Sequence, residues 1–512
     1  MVSLDAHRSR PSGLDIGGWI RRNATRPWVI TVVGLVFAAI SLTAGRFAYV
    51  IIALALLIMA MLLVGNSYSS GVFWILGFSS VTGFYHRLVI HATGQSPPSD
   101  FVRLALELSI LFYFVLIVGS RLEKRRQRYR IRKSWLDVVV SVYLLLCTLY
   151  ALNLFYVEPL VTIYGWRWVC IPIFMYYIGR AIAGKPGMID QVNKYMIVLL
   201  LLQAGYGAYQ ALAGYPSFEQ AWVQALTAGQ STMAVEASMF IAGKARIPAL
   251  TEGHTSSGFL IPVLFLWALF IPSSTLSKRW RILRRLALLC GLLFLAFSNE
   301  RSAIGMAGVG IGLVIFLRTR RRLGIGVFLV SIPLFILIIW GISQVDPETI
   351  PWSEDTIIQR RLLELLNPFR SGTFAGRMTE YWPLYWKQFL DNPLGYGLGS
   401  FHATSATRGS EWGRSPHNMY LQILLETGVI GLISFVAIWI GFFANIYRYS
   451  KSRLLIPQKS PMFSAAAAFV AFAAIGMANQ PIETFPLALH FWFLMGIVTT
   501  HFTARMQSMH HA

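Results

Sequence analysis

The sequence predicts an all-α polytopic membrane protein of about fourteen transmembrane helices, with a large, partly helical loop on its outer side. Three observations carry this. Of 512 residues, 55% are hydrophobic and only 13% are charged, with mean hydropathy +0.57, whereas a soluble chain carries about 25% charged residues. Apolar runs long enough to cross a bilayer as helices recur along the whole chain. Basic residues fall in short blocks between those runs: eight Lys or Arg in Arg121–Lys133, five in Lys278–Arg285 and four in Arg318–Arg322. Such blocks anchor loops at a cytoplasmic face, so the net charge of +22 does not mark a nucleic-acid binder.

Residues 1–27 are polar and basic and lack the short apolar core of a cleavable leader, so they read as a cytoplasmic segment. Spans follow near 28–45, 47–65, 71–89, 101–119, 135–156, 166–183 and 195–213, the N-terminal helices of 28–213. The third carries polar breaks, and the sixth opens on Arg167 and contains Pro172. Central spans near 257–273, 283–298, 303–317 and 324–343 make up 257–343. The last three, near 425–446, 463–478 and 487–503, make up 425–503. An inner tail, 504–512, ends the chain. Alternation from an inside start places 120–134, 274–282, 318–323 and 447–462 inside, and these are the basic segments. Two long loops then lie outside, 214–256 and 344–424. Cys147, Cys170 and Cys290 sit in apolar spans and read as small buried hydrophobes without metal-ligand spacing.

The second outer loop holds eight acids and seven bases between Asp346 and Arg414, without the basic excess of the inner loops. Glu354–Leu366 reads as an amphipathic helix with Ile357, Ile358, Leu362, Leu365 and Leu366 on its apolar side. Tyr381–Leu390, rich in Trp, Tyr and Phe, suits the lipid headgroup layer. Asn392–Gly399 is a turn-rich stretch that permits close backbone approach.

Three residues are candidates for chemistry. His417 follows Pro416 and precedes Asn418, a good N-cap for the apolar helix after it. A histidine at the positive end of a helix tends to be neutral and can accept a proton from a hydroxyl. Arg301 lies in the polar turn Ser298–Ser302 on the outer side, against the usual positive-inside bias. Its planar fork suits a phosphate, although a pair with Glu300 is the ordinary alternative. Arg377 opens the stretch that leads into the aromatic segment. Arg246, Glu252 and His254, just before a span, and Glu411 and Arg414, near His417, are candidates for holding substrate. Such residues more often cap helices or satisfy loops. The chain has no Asp-x-Asp or His-x-His motif, so no metal site is expected. It also has no phosphate-cradling Gly-x-x-x-x-Gly-Lys-Ser/Thr loop, so no cofactor is expected.

His417-Asn418, nine residues, Gly428, two residues and Gly431 resemble the signature of the bacterial O-antigen ligase and polymerase family. Glu300-Arg301-Ser302 resembles that family's arginine-bearing turn, and Gly376-Arg377 with Asn392–Phe401 looks like the approach to its motif. The likeness covers roughly 240–450. It implies a metal-independent, inverting glycosyltransferase acting at the periplasmic face of the bacterial inner membrane. Its donor would be an undecaprenyl diphosphate-linked oligosaccharide. Arg301 and Arg377 would hold the diphosphate, His417 would be the base, and Asn418 and Glu300 would join the substrate-binding set. The acceptor would be another lipid-linked glycan in a polymerase, or lipid A–core in a ligase. The long N-terminal part leans the reading towards a polymerase, for which a chain-length regulator is a candidate partner. A transporter or flippase is the reading from a different class, but the paired halves typical of transporters are not visible.

Overall fold

The computed structural model describes residues 68–93, 99–124, 134–152, 158–227, 240–241, 244–298, 300–318, 376–402, 415–450 and 460–510. Its helices are α1 (Tyr68–Thr93), α2 (Ser99–Lys124), α3 (Trp135–Ala151), α4 (Pro159–Ile182), α5 (Met188–Ala213), α6 (Ser217–Thr227), α7 (His254–Phe270), α8 (Lys278–Phe297), α9 (Arg301–Arg318), α10 (Trp382–Asp391), α11 (Met419–Ser450), α12 (Ser460–Ile475) and α13 (Phe485–His510). Each span expected between 71 and 317, and each from 425 onward, coincides with one of these helices. The spans expected at 28–45, 47–65 and 324–343, and the amphipathic helix Glu354–Leu366, lie outside the described residues. By length and composition α5, α11 and α13 can cross a membrane, and α3, α7, α9 and α12 are shorter apolar helices. The architecture is that of a predominantly helical membrane protein.

Polar residues do not break α1. The hydroxyls of Ser79, Ser80 and Thr82 donate to carbonyls three or four residues back in the same helix, so their polarity is satisfied within the segment. α4 starts earlier than expected, at Pro159, where a fixed φ and a missing N–H cost nothing in a first turn. It continues through Pro172. The segment 214–256, expected outside, holds α6 and a small antiparallel pair, with Phe240 opposite Ala245 and Ile241 opposite Lys244. The sequence reading had no counterpart for that pair.

α7 is apolar on every face, and every residue from Ser257 to Ala268 is buried. It packs with α5, α9 and α12, while α13 packs along α4 and α11 along α3. α13 is 89% buried across its apolar window and α11 only 39%, so α13 is central and α11 faces outward from the bundle. Contacts join helix ends that alternation places on one side. Arg180 pairs with Asp137 at 2.6 Å and donates to Thr500 Oγ1 at 3.0 Å, all near expected inner ends. At the opposite end, buried Arg87 donates to the Thr251 carbonyl at 2.8 Å and to the Ala249 carbonyl, and pairs with Glu219 at 2.7 Å. Arg87 thereby ties α1 and α6 to the loop that carries Arg246, Glu252 and His254.

Candidate active site

Asn418 caps α11 as its residue type suggests. Its Oδ1 accepts from the backbone N–H of Tyr420 at 3.0 Å and of Leu421 at 3.1 Å. That oxygen is therefore engaged in the helix start, not turned to a substrate. His417 sits one residue earlier with φ +51°, in the left-handed region that side chains seldom adopt. The conformation is held from both sides. Trp382 Nε1–H donates to the Pro416 carbonyl at 3.0 Å, and Met419 N–H donates to the Gly476 carbonyl at 2.7 Å. A strained residue fixed by its surroundings is a feature of functional sites.

His417 keeps an exposed face. Crowding by protein atoms, then the Arg377 charge, push its imidazole down to about 4. The ring is thus neutral near pH 7. The sequence reading reached the same state from the helix terminus, whereas burial and Arg377 are the larger causes here. Arg377 lies in a π-helical turn, Arg377–Tyr381, that leads directly into α10. Its Nη1 donates to the Ala478 carbonyl at 2.8 Å. Burial and then the Arg301 charge lower its affinity for a proton. Arg301 is the first residue of α9 and not part of a free-standing turn. The charge of Arg301 thus acts on Arg377, and that of Arg377 on His417.

Glu300 is oriented by other residues. Arg246 Nη1 donates to His254 Nε2 at 2.9 Å, and a guanidinium has only donors, so this nitrogen is the lone-pair side of a neutral imidazole. Glu300 Oε1 lies 3.7 Å from that His254 nitrogen and 4.0 Å from Arg246 Nε. Because His254 is neutral, Arg246 is the charged partner of the two. Arg246, His254 and Glu300 form one cluster, next in sequence to Arg301. Glu252 turns to a different set of residues and accepts from Thr82 Oγ1 at 3.4 Å. Glu411 and Arg414 lie outside the described residues.

The glycine of the signature has a steric cause. Gly428 interrupts α11 with φ +64° and ψ −169°. There the Asn392–Gly399 stretch crosses the helix. Tyr396 N–H donates to the Leu425 carbonyl at 2.8 Å, Gly397 N–H to the Glu426 carbonyl at 3.0 Å, and Val429 N–H to the Pro393 carbonyl at 3.1 Å. A Cβ at Gly428 would stand 2.5 Å from the Leu394 carbonyl carbon and oxygen. The span expected over 425–446 therefore begins at Met419 and is broken at Gly428. Gly428→Ala is expected to destabilise the protein by more than the roughly 1–3 kcal/mol of placing a side chain in a backbone region that essentially only glycine adopts, because the clash adds to it. A drop in thermal unfolding temperature in detergent checks this, and an unchanged one counts against the crossing.

The sequence reading missed one segment, the turn between α12 and α13. Its Gly476 and Asn479 carbonyls hold Met419 N–H, and its Ala478 carbonyl holds Arg377. Gln480 accepts from the Ser415 hydroxyl. The polar run Asn479-Gln480-Pro481-Ile482-Glu483-Thr484 between two apolar spans was the available signal. Among the described residues, no three His, Cys, Asp or Glu side chains gather as a metal-ligating group.

The helical membrane fold thus carries a strained histidine whose imidazole feels the Arg377 charge. Residues 286–436 match the family described as O-antigen ligase. Arg301, Arg377, His417, Gly428 and Gly431 all fall within that stretch, which is similar to the O-antigen ligase family. A Rickettsia conorii protein named provisionally as a polysaccharide ligase is 28% identical over 205 residues, which cover 37% of this chain and 45% of that protein. The chain thus spans under half the length of that relative.

Proposed function

We propose that this chain is a membrane glycosyltransferase that moves a glycan from undecaprenyl diphosphate to an acceptor hydroxyl at the periplasmic face of a bacterial inner membrane. The observation that supports this is the strained, left-handed His417 at the start of α11, with Arg377 acting on it and Arg301 on Arg377, all inside the stretch that matches the O-antigen ligase family. The acceptor hydroxyl gives its proton to an imidazole nitrogen of His417. Its oxygen bonds to the anomeric carbon, and the bond from that carbon to the diphosphate oxygen breaks. The diphosphate leaves with its charge on Arg301 and Arg377. Attack opposite the leaving group inverts the anomeric centre. The start of α9 adds backbone N–H groups beside Arg301, a further favourable term for an anion.

Two acceptors fit. The ligase names of the family and of the relative weigh for a lipid A–core type acceptor. The long N-terminal helical part weighs for a second lipid-linked glycan, hence polymerisation. Purified protein given an undecaprenyl diphosphate-linked oligosaccharide with each acceptor in turn separates them, and product with neither sinks the proposal. With no Asp-x-Asp motif in the sequence, turnover is expected to survive EDTA. Loss on chelation with recovery on added magnesium or manganese would overturn metal independence.

A further inference from the structure

Beneath the His417 turn runs a one-way chain of buried hydrogen bonds. The Ser415 hydroxyl donates to Gln480 Oε1, so Gln480 presents its Nε2 to Gln422 Oε1, at 2.8 Å. Gln422 then directs its own Nε2 at Glu426 Oε1, 3.1 Å away, and at Glu483 Oε1, 2.5 Å away. Glu426 Oε1 also accepts from the backbone N–H of Phe401 at 3.1 Å, so this oxygen ends the chain as an acceptor and fixes both amide orientations. Ser415, Gln480, Gln422 and Glu426 are all buried, at 9%, 8%, 3% and 3% exposure, so water does not substitute for a missing partner. At the other end, Ser415 Oγ accepts a long bond, 3.4 Å, from the backbone N–H of His417. Gln480 belongs to the same turn whose Ala478 carbonyl holds Arg377 and whose Gly476 carbonyl holds Met419. One rigid turn therefore references both the proposed base and one proposed diphosphate ligand.

We propose that Gln480 is a positioning residue for the transfer reaction, orienting the strained His417 through Ser415 while the turn that carries it sets Arg377. This rests on the reading of His417 as the base. Gln480→Met keeps length and volume but breaks the chain. It is expected to lower kcat by about a hundredfold, the size of effect that small misplacement of reacting groups produces, with little change in KM for an undecaprenyl diphosphate-linked oligosaccharide. Ser415→Ala is expected to behave likewise, and Ser415→Thr, which keeps the hydroxyl, to recover most of the rate. The deciding measurement repeats Gln480→Met and Ser415→Ala in a His417→Ala background, where neither should slow the residual rate further, because groups acting through one residue are not additive. Equal fold losses in both backgrounds would mean a merely structural role and overturn the inference. So would wild-type kcat in both Gln480→Met and Ser415→Ala beside an inactive His417→Ala. Near-normal turnover of His417→Ala would instead end the base reading, and this inference with it.

Discussion

His417→Ala is expected to lower turnover by about two to four orders of magnitude, the usual range for loss of a general base. Yield and melting temperature should stay near those of the unmodified protein. The ring keeps an exposed face, so alanine leaves no cavity in a core. The left-handed backbone at φ +51° is held by the bonds at Pro416 and Met419, which alanine retains. The pH dependence gives a second reading. The ring's proton affinity is lowered, so the neutral, base-competent form persists well below the ordinary histidine range and disappears only as pH falls through about 4. The acid limb of kcat/KM, which reports the free enzyme, should therefore lie near pH 4. A bound diphosphate adds negative charge beside the imidazole and favours its protonated form, so the acid limb of kcat should lie higher. The same shift has a stability consequence. A histidine with depressed folded affinity contributes stability above its unfolded value near 6.5, and that contribution is lost as pH falls from there towards about 4. A well-folded His417→Ala enzyme with near-normal rate would end the assignment.

Much of this site was legible from residue types because the local rules agree. Pro416 followed by Asn418 announced a helix start, and Asn418 is that cap. The helices from 71 to 317 followed from hydropathy, since a membrane span must satisfy its own backbone and so depends little on tertiary context. Three things were not legible. The left-handed turn at His417 is imposed by neighbours distant in sequence, Trp382 and the Gly476 carbonyl, and no spacing rule encodes that. Gly428 could be seen as part of a motif, but its reason lies in the Pro393–Leu394 backbone crossing the helix. Gln480 gives no signal in the sequence, because a lone glutamine in a short turn has no chemistry of its own. Its importance comes from Ser415 and Gln422, far away along the chain.

Arg301→Lys and Arg377→Lys should each lower turnover by about a hundredfold or more, the scale seen when one preorganised donor to a developing negative charge is removed. Both positions already tolerate an electrostatic conflict, since Arg301 is one of the causes that lower the proton affinity of Arg377. Two like charges held together in a partly buried place destabilise the empty protein, and an anionic ligand relieves that repulsion. Lysine keeps the charge but replaces a fixed two-pronged fork with a single mobile point, so it cannot hold one diphosphate oxygen while stabilising the next. At Arg377 the difference is sharper. One N–H group is fixed on the Ala478 carbonyl at 2.8 Å, which aims the rest of the guanidinium, and an ammonium making that bond would point its charge elsewhere. Donor affinity should therefore fall more than acceptor affinity, with melting temperature little changed. The empty variants should also lose some of the stabilisation that added donor gives the unmodified protein, because binding to the folded state alone raises apparent stability. Measuring the melting shift with donor alongside kcat separates the roles. Lysine variants that keep full donor-induced stabilisation and full rate would show that the two arginines do no more than brace the loop.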